Sequence, residues 1–205
     1  AYAPSVEINA VDGILIDGPI GSLQDSDPRM NGDVFITSTA SNVALSGVSG
    51  WIETNGRIVL DGVNLSVAGV IKNAGITAPD GVAEVELIAD GVITIVGDVD
   101  ALGSINITAP TSVSVLGHVE AGGVETFEFL TEYDGAETAD GETVEIITDL
   151  ITIGGGVGIA DDTFAGLAEG DSFPLGATVV GSAGVTLTAG ATSGTGDVYI
   201  GRGSE

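Results

Sequence analysis

The feature that most constrains this chain is a 20-residue offset between two neighbouring segments with the same pattern. The segments GDVDALG (97–103) and GHVEAGG (117–123) share glycine, valine, alanine and glycine at alternate positions. The apolar residues before them keep the same offset, for example from Val85 to Ile105. A repeat this short cannot bury an apolar face alone, so copies of it must stack on one another.

Each of these two repeats contains three short runs with apolar residues at every second position. Glycine, Ala-Asp or Ala-Pro separates the runs. Period-2 alternation is typical of β-strands, and neighbouring strands in a sheet lie about 4.8 Å apart. A coil of three such strands that rises by one strand spacing per turn is a parallel β-helix. The sequence therefore predicts an all-β fold, a single-stranded parallel β-helix with coils of about 20 residues.

The same spacing suggests how the rest of the chain is organised. Val34 and Ile58 are 24 residues apart, so the earlier coils are longer, and Val144 follows Ile105 by 39 residues, which is close to two coil lengths. We expect one β-solenoid domain over residues 1–205 with two loop or hairpin insertions. Its expected parts are first coils and a polar loop (1–31), regular coils (32–123), an insertion (124–142), a coil (143–160), a second insertion (161–178) and the last coils (179–205).

Composition excludes several function classes. The 205 residues include 30 acidic residues against four Lys and Arg, a formal net charge of −26, so nucleic acid and anionic membranes would be repelled. Hydrophobic residues make up 43% of the chain, which excludes a disordered acidic tail, and no apolar run is long enough to span a membrane. There is no cysteine, hence no thiolate chemistry. An acidic, lysine-poor surface suits a salt-rich or calcium-rich medium, so we expect an extracellular protein.

Carboxylates that stack in the repeat are candidate ligands for calcium. Asp100 falls over Glu120 at the 20-residue offset, and two carboxylates one strand spacing apart repel each other unless a cation or proton lies between them. The alternative is that these acids are simply solvated at the corners of the coil. No cofactor is required by this interpretation, and calcium is the one ion it suggests. The candidate calcium ligands are Asp25, Asp27, Asp33, Asp100, Glu120, Asp161 and Asp162.

The single histidine, His118, falls over Asp98 at the same offset. We interpret it as a surface histidine beside a carboxylate, with a metal or pH-sensing role as the alternative. A Ser-His-Asp arrangement is not supported, because the sequence has no G-x-S-x-G motif.

Aromatic residues interrupt the repeat and are candidate contact residues for a partner. Phe127, Phe129 and Tyr133 lie in the first insertion among many acids, and Trp51 lies in a lengthened corner. Aromatic side chains are enriched at protein contact surfaces. The alternative is that these rings fill or cover the interior of a coil.

The regular stretch resembles the repeats of filamentous haemagglutinin-type adhesins and other secreted bacterial β-helix proteins. The resemblance is carried by GSINITA (103–109), VSVLG (113–117) and HVEAGG (118–123), and it extends over residues 32–123 and, more loosely, 143–200. It implies a right-handed β-helix exported to the cell surface and used for adhesion. The aromatic insertion and the low Lys and Asn content depart from the pattern.

These observations predict a non-catalytic structural or adhesive surface module of a bacterial or archaeal protein. Its expected partners are a receptor or glycan on a host or neighbouring cell, or copies of itself. The first alternative is a self-assembling filament, sheath or surface-layer subunit. The second is a carbohydrate-active β-helix enzyme, disfavoured because the chain offers only Arg29, Arg57, Lys72 and Arg202 as basic partners.

Overall fold

The structure is a computed structural model, and it describes most of the chain in eight stretches. These are residues 5–21, 32–47, 49–75, 82–127, 133–138, 142–159, 178–181 and 184–201; the side chains of 123–127, 133–138, 158–159 and 178 are not included. Several predicted site residues lie outside the described residues: Asp25, Asp27, Phe129, Asp161 and Asp162. Phe127 and Tyr133 lie in strands whose side chains are not described.

The described residues form 23 short β-strands, which follow one another around the coil in chain order. The first half comprises β1 (Val6–Ala10), β2 (Ile14–Ile16), β3 (Pro19–Ile20), β4 (Val34–Ser38), β5 (Val43–Leu45), β6 (Trp51–Thr54), β7 (Ile58–Gly62), β8 (Leu65–Val67), β9 (Val70–Asn73), β10 (Val85–Ala89), β11 (Val92–Ile95) and β12 (Asp98–Ala101). The second half comprises β13 (Ile105–Thr108), β14 (Ser112–Val115), β15 (His118–Ala121), β16 (Gly123–Phe127), β17 (Tyr133–Thr138), β18 (Thr143–Thr148), β19 (Leu150–Ile153), β20 (Val157–Ile159), β21 (Thr178–Gly181), β22 (Gly184–Ala189) and β23 (Asp197–Ile200).

Three parallel seven-stranded sheets contain all of these strands except β16 and β17. Sheet A has the order β1-β4-β7-β10-β13-β18-β22, sheet B the order β2-β5-β8-β11-β14-β19-β23, and sheet C the order β3-β6-β9-β12-β15-β21-β20. Each turn of the chain adds one strand to each sheet, and we call the three strands at one level a rung. The predicted all-β parallel β-helix is confirmed, and the described residues contain no helix, hence none long and apolar enough to cross a membrane.

The register of the strands matches the offsets seen in the sequence. Val85 pairs with Ile105 at the 20-residue offset, and Ile105 pairs with Val144 across the first insertion. Val34 pairs with Ile58, which confirms the longer early coil. The extra residues of a long coil therefore lie in its corners and leave the strand ladder intact.

The core is a single apolar column enclosed by the three sheets. Alternate side chains of every central strand point inward and are fully buried, so the pattern in β11 and β14 is intermediate, buried, intermediate, buried. The inward positions are almost entirely Val, Ile, Leu and Ala, whose branched side chains suit a pleated surface. The largest fully buried side chains are Ile36, Leu45, Ile52, Ile58, Leu60, Leu65, Ile71, Leu87, Ile93, Ile95, Ile105 and Ile107.

A column of glycines turns the chain from sheet B into sheet C. A Cβ atom added to Gly69 would lie 1.9 Å from the carbonyl oxygen of Gly50, and one added to Gly97 would lie 1.9 Å from that of Gly69. The same contact at Gly117 is 2.0 Å, to the oxygen of Gly97. Only glycine allows successive rungs to stack this closely at the corner. The repeated glycine of the sequence pattern is therefore a stacking requirement.

In the part of the chain that the structure describes, two places depart from simple coiling, and both lie in or beside the predicted insertions. β16 and β17 form an antiparallel pair between rungs five and six, which confirms the predicted hairpin. In sheet C, β21 lies between β15 and β20, although β20 precedes it in the chain. The simple order of last coils expected from the sequence is thus altered, because β21 occupies the free edge of β15 and leaves β20 to stack one level further on.

Candidate metal centre

Two neighbouring strands of sheet C present polar side chains on their outward face. Inward positions of β12 and β15 hold Val and Ala residues that are completely buried. Because side chains of a strand alternate between faces, the intervening acids and His118 point outward. The register pairs Asp98 with His118 and Asp100 with Glu120, which confirms both predicted stacks. One glycine of the column immediately precedes each strand, Gly97 before β12 and Gly117 before β15.

Three of these side chains converge on one point. The Nε2 atom of His118 lies 2.9 Å from Oε2 of Glu120 and 4.0 Å from Oδ1 of Asp100. The three potential ligand atoms of Asp100, His118 and Glu120 all lie within 4.8 Å of one another. The side chains are only 13%, 27% and 15% exposed, respectively. The cluster is therefore partly sheltered from water and small enough for one ion to contact all three residues.

The carboxylate of Asp100 is buried among other charged side chains. Its Oδ1 atom is buried and accepts no hydrogen bond. Burial raises the pKa of Asp100 to about 7; the positive charges of His118 and Lys72 oppose this shift, while Glu120 and Asp98 add to it. A buried carboxylate oxygen without a hydrogen-bond donor costs free energy. Binding of a proton or a cation at this oxygen would remove that cost.

The pKa of His118 is also raised, but for a different reason. Burial alone lowers the pKa of its imidazole, but the hydrogen bond with Glu120 and the charge of Asp100 outweigh burial and raise it. The arrangement favours positive charge at the position between the two carboxylates. The protonated form of the imidazole is therefore favoured over the neutral form.

The strand register of sheet C identifies the residues stacked on either side of Asp100 and Glu120. Lys72 pairs with Asp100 on the side away from Glu120, and Glu53 pairs with Lys72 one rung earlier. Lys72 is 8% exposed. On the other side Val180 follows Glu120 and Gly158 follows Val180, so the ladder continues through uncharged residues. The backbone of β16 lies beside β12 and β15. The cluster thus has one cationic neighbour, Lys72, within its ladder.

The other predicted site residues within the described stretches do not join this cluster. The carboxylate of Asp33 accepts a hydrogen bond from the backbone N–H of Arg57 at 2.9 Å. Trp51 is half-buried on the outward face of sheet C, stacked in register between Pro19 and Val70. Asp33 therefore orders the start of a strand, and Trp51 lies outside the coil interior.

The convergence of His118 with Asp100 and Glu120 was not predicted. The 20-residue offset pairs the two acids with each other and places His118 over Asp98. The convergence is nevertheless predictable in part, because His118 and Glu120 are two residues apart in one strand and must share a face. The sequence does not reveal the buried, unpaired oxygen of Asp100, which depends on three-dimensional packing.

Comparisons with known proteins do not assign the chain to a family. No protein-family model matches the chain, and searches of the curated proteins and of the solved structures yield no match. The resemblance to filamentous haemagglutinin-type repeats therefore stays a prediction.

Proposed function

We propose that the chain is a non-catalytic structural and adhesive module on the surface of a bacterial or archaeal cell. The observation that supports this proposal is the unbroken ladder of three parallel sheets over seven rungs. Six strand spacings correspond to about 29 Å along the axis. Such a stack is a stiff spacer with a uniform flank, which suits display and contact better than it suits an enclosed reaction site.

The charge distribution supports an extracellular setting and argues against a polyanion-cleaving enzyme. Of the four basic side chains, Arg57 and Lys72 lie within the described residues. Arg57 forms an ion pair with Glu86 at 2.6 Å, and Lys72 is largely buried beside Asp100. Neither presents a free cation to an acidic polysaccharide. High salt would screen the remaining negative surface.

Adhesive contact is assigned to the β16–β17 insertion, where the repeat is interrupted. Phe127, Phe129 and Tyr133 belong to this segment, and aromatic residues are enriched at contact surfaces. The partner would be a glycan or a receptor on another cell. Calcium remains the predicted ion for the acidic clusters at the corners.

The experiment replaces residues 126–140 with a short Gly-Ser bridge and compares this variant with the wild type. Both proteins are measured for melting temperature and for binding to a glycan array and to intact cells. We expect unchanged folding and lost binding, because the antiparallel pair lies outside the three sheets. Val96→Ser, which removes an exposed apolar side chain from the repeat surface, is the control and should bind normally.

Binding that survives the replacement would contradict the assignment of contact to this segment. A wild-type protein that binds no cell or glycan would contradict the adhesive proposal itself. A large fall in melting temperature would show that the insertion stabilises the coil.

End-to-end assembly is a second candidate, favoured by the last strand of sheet B. Val198 and Ile200 occupy the core-facing register of Ile151 and Ile153, yet they are 42% and 54% exposed. Apolar side chains left open on a sheet edge favour pairing with another copy.

Light scattering and negative-stain microscopy of Val198→Lys and Tyr199→Lys variants test this candidate. Tyr199 points to the opposite face, so its replacement is the matched control. Assembly that is lost with Val198→Lys and retained with Tyr199→Lys supports stacking through the end of the coil. A wild-type protein that stays monomeric at high concentration contradicts it.

A further inference from the structure

We propose that Asp100, His118 and Glu120 form a binding site for one divalent transition-metal ion of the zinc type. The proposal is independent of the adhesive function. It is carried by three converging donors on adjacent rungs and by the buried oxygen of Asp100 that accepts no hydrogen bond.

The geometry of the donors fits a small ion. A tetrahedral ion with bonds of about 2.0–2.2 Å holds its ligand atoms about 3.4 Å apart. The distances from His118 Nε2 to Glu120 Oε2 and to Asp100 Oδ1 are 2.9 Å and 4.0 Å, which bracket that spacing. All three ligand atoms lie within 4.8 Å of one another, so the side chains must rotate to bring them into contact with one ion. Three protein ligands leave a fourth position for water.

The chemistry of the donors distinguishes zinc from calcium. Calcium takes six to eight oxygen ligands, whereas imidazole nitrogen and carboxylate oxygen together suit zinc and its neighbours. His118 supplies that nitrogen from the centre of the cluster. The two acids of this cluster were predicted as calcium ligands, and the presence of His118 favours the transition metal at this position.

The metal must compete with the contacts that exist without it. Metal binding requires Nε2 to lose the proton that it donates to Glu120, so the imidazole–carboxylate hydrogen bond is replaced by two bonds to the ion and a proton is released to solvent. Lys72, next to Asp100 in the ladder, opposes the incoming charge, while Asp98 beside His118 favours it. The two carboxylate ligands neutralise a divalent ion, which offsets their mutual repulsion.

An ion at this position would join two rungs of the solenoid. Asp100 belongs to β12, and His118 and Glu120 belong to β15. The three residues come together only when these strands stack in register. Zinc would therefore bind the folded chain in preference to the unfolded chain and stabilise it by mass action.

The test uses tag-free, chelator-treated protein and zinc chloride as the probe. His118 is the chain's single histidine, so its ring signals in an NMR spectrum need no further assignment. Isothermal titration calorimetry measures stoichiometry and Kd, and cobalt(II) absorption reports the coordination number. The variants are His118→Ala and Glu120→Gln. Asp90→Asn removes one exposed acid elsewhere and controls for net charge.

We expect one zinc ion per chain, a large shift of the His118 ring signals, and a higher melting temperature with zinc. Each site variant should weaken binding by at least about tenfold, and Asp90→Asn should leave Kd unchanged. Calcium at the same concentration should not move the histidine signals.

Unmoved histidine signals in the wild type would overturn the proposal, and this reading does not depend on any variant folding. Several weak ions bound equally by all the proteins would also overturn it, because that result describes general attraction to an acidic surface. Equal zinc affinity of wild type and His118→Ala would exclude the imidazole as a ligand.

Discussion

At the scale of single residues, each strand sends neighbouring side chains into opposite environments. Ile95 points into the core and is fully buried, whereas Thr94 points outward between Ser66 and Ser114. A charge is therefore tolerated at one position and not at the next. This alternation is what makes a single repeat pattern sufficient to encode both the core and the surface.

The substitution Ile95→Asp should destabilise the protein by about 3–5 kcal/mol, because it buries a carboxylate without a partner. Thr94→Asp should change the free energy of unfolding by less than about 0.5 kcal/mol, since its neighbours are neutral hydroxyl residues. Urea denaturation followed by circular dichroism measures both. Similar losses for the two variants would contradict the assigned faces of β11.

Asp61 gives a pH-dependent prediction outside the metal cluster. Burial raises its pKa, and the nearby charge of Asp90 adds to the shift. An acid whose pKa is higher in the folded state costs stability when it is ionised, so stability is lost as pH rises through that pKa and regained as pH falls.

Asp61→Asn should therefore raise the melting temperature at pH 7, and the gain should disappear near pH 2.5, well below the ordinary aspartate pKa of about 3.9, where the carboxyl group is protonated in both states. Thermal unfolding of both proteins at pH 7, 5 and 2.5 checks this. A variant that is less stable at pH 7, or a gain that persists in acid, would contradict the assigned environment.

At the scale of elements, the strands and the antiparallel hairpin were predictable, and the order of the last strands was not. The offset of 20 residues gives the register of β10 to β15 directly, because each strand must align with its copy one coil later. The exchanged order of β20 and β21 could not be predicted. Both strands are short, and neither sequence specifies which of them pairs with β15. In the structure β21 pairs with β15, and β20 pairs with β21.

The candidate metal centre, too, could be predicted only in part from the sequence. Strand register predicts that Asp100 lies over Glu120, and strand alternation places His118 on the same face. The approach of the imidazole to both carboxylates and the burial of Asp100 Oδ1 depend on side-chain packing in three dimensions. Strand register alone does not specify these side-chain positions.

The glycine column leads to a prediction for the corner between sheets B and C. In Gly97→Ala the new methyl group would meet the carbonyl oxygen of Gly69 at 1.9 Å, so the rungs must separate. We expect a loss of about 1–3 kcal/mol or more from overpacking. Gly18→Ala is the matched control, because no atom lies within 4 Å of its added Cβ. Chemical denaturation should separate the two variants, and a neutral Gly97→Ala would contradict the close stacking.

At the scale of the whole molecule, the net charge of −26 opposes folding through self-repulsion. Salt shortens the screening length from about 30 Å at 0.01 M to about 3 Å at 1 M. The melting temperature should therefore rise steadily with sodium chloride over this range. A calcium site predicted from the acidic clusters would add a further rise at matched ionic strength. A melting temperature that does not depend on salt would contradict this view of the surface.

The measurement that tests the solenoid most directly is the distance between spin labels placed along one ladder of sheet B. The chain has no cysteine, so labels can be attached wherever one is introduced. Leu15, Ala44, Thr152 and Tyr199 occupy equivalent outward positions in rungs one, two, six and seven. Double-cysteine variants for the pairs 44/152, 15/152 and 15/199 should give distances near 19, 24 and 29 Å, about 4.8 Å more for each rung. Distances that do not increase in this order would contradict a parallel β-helix.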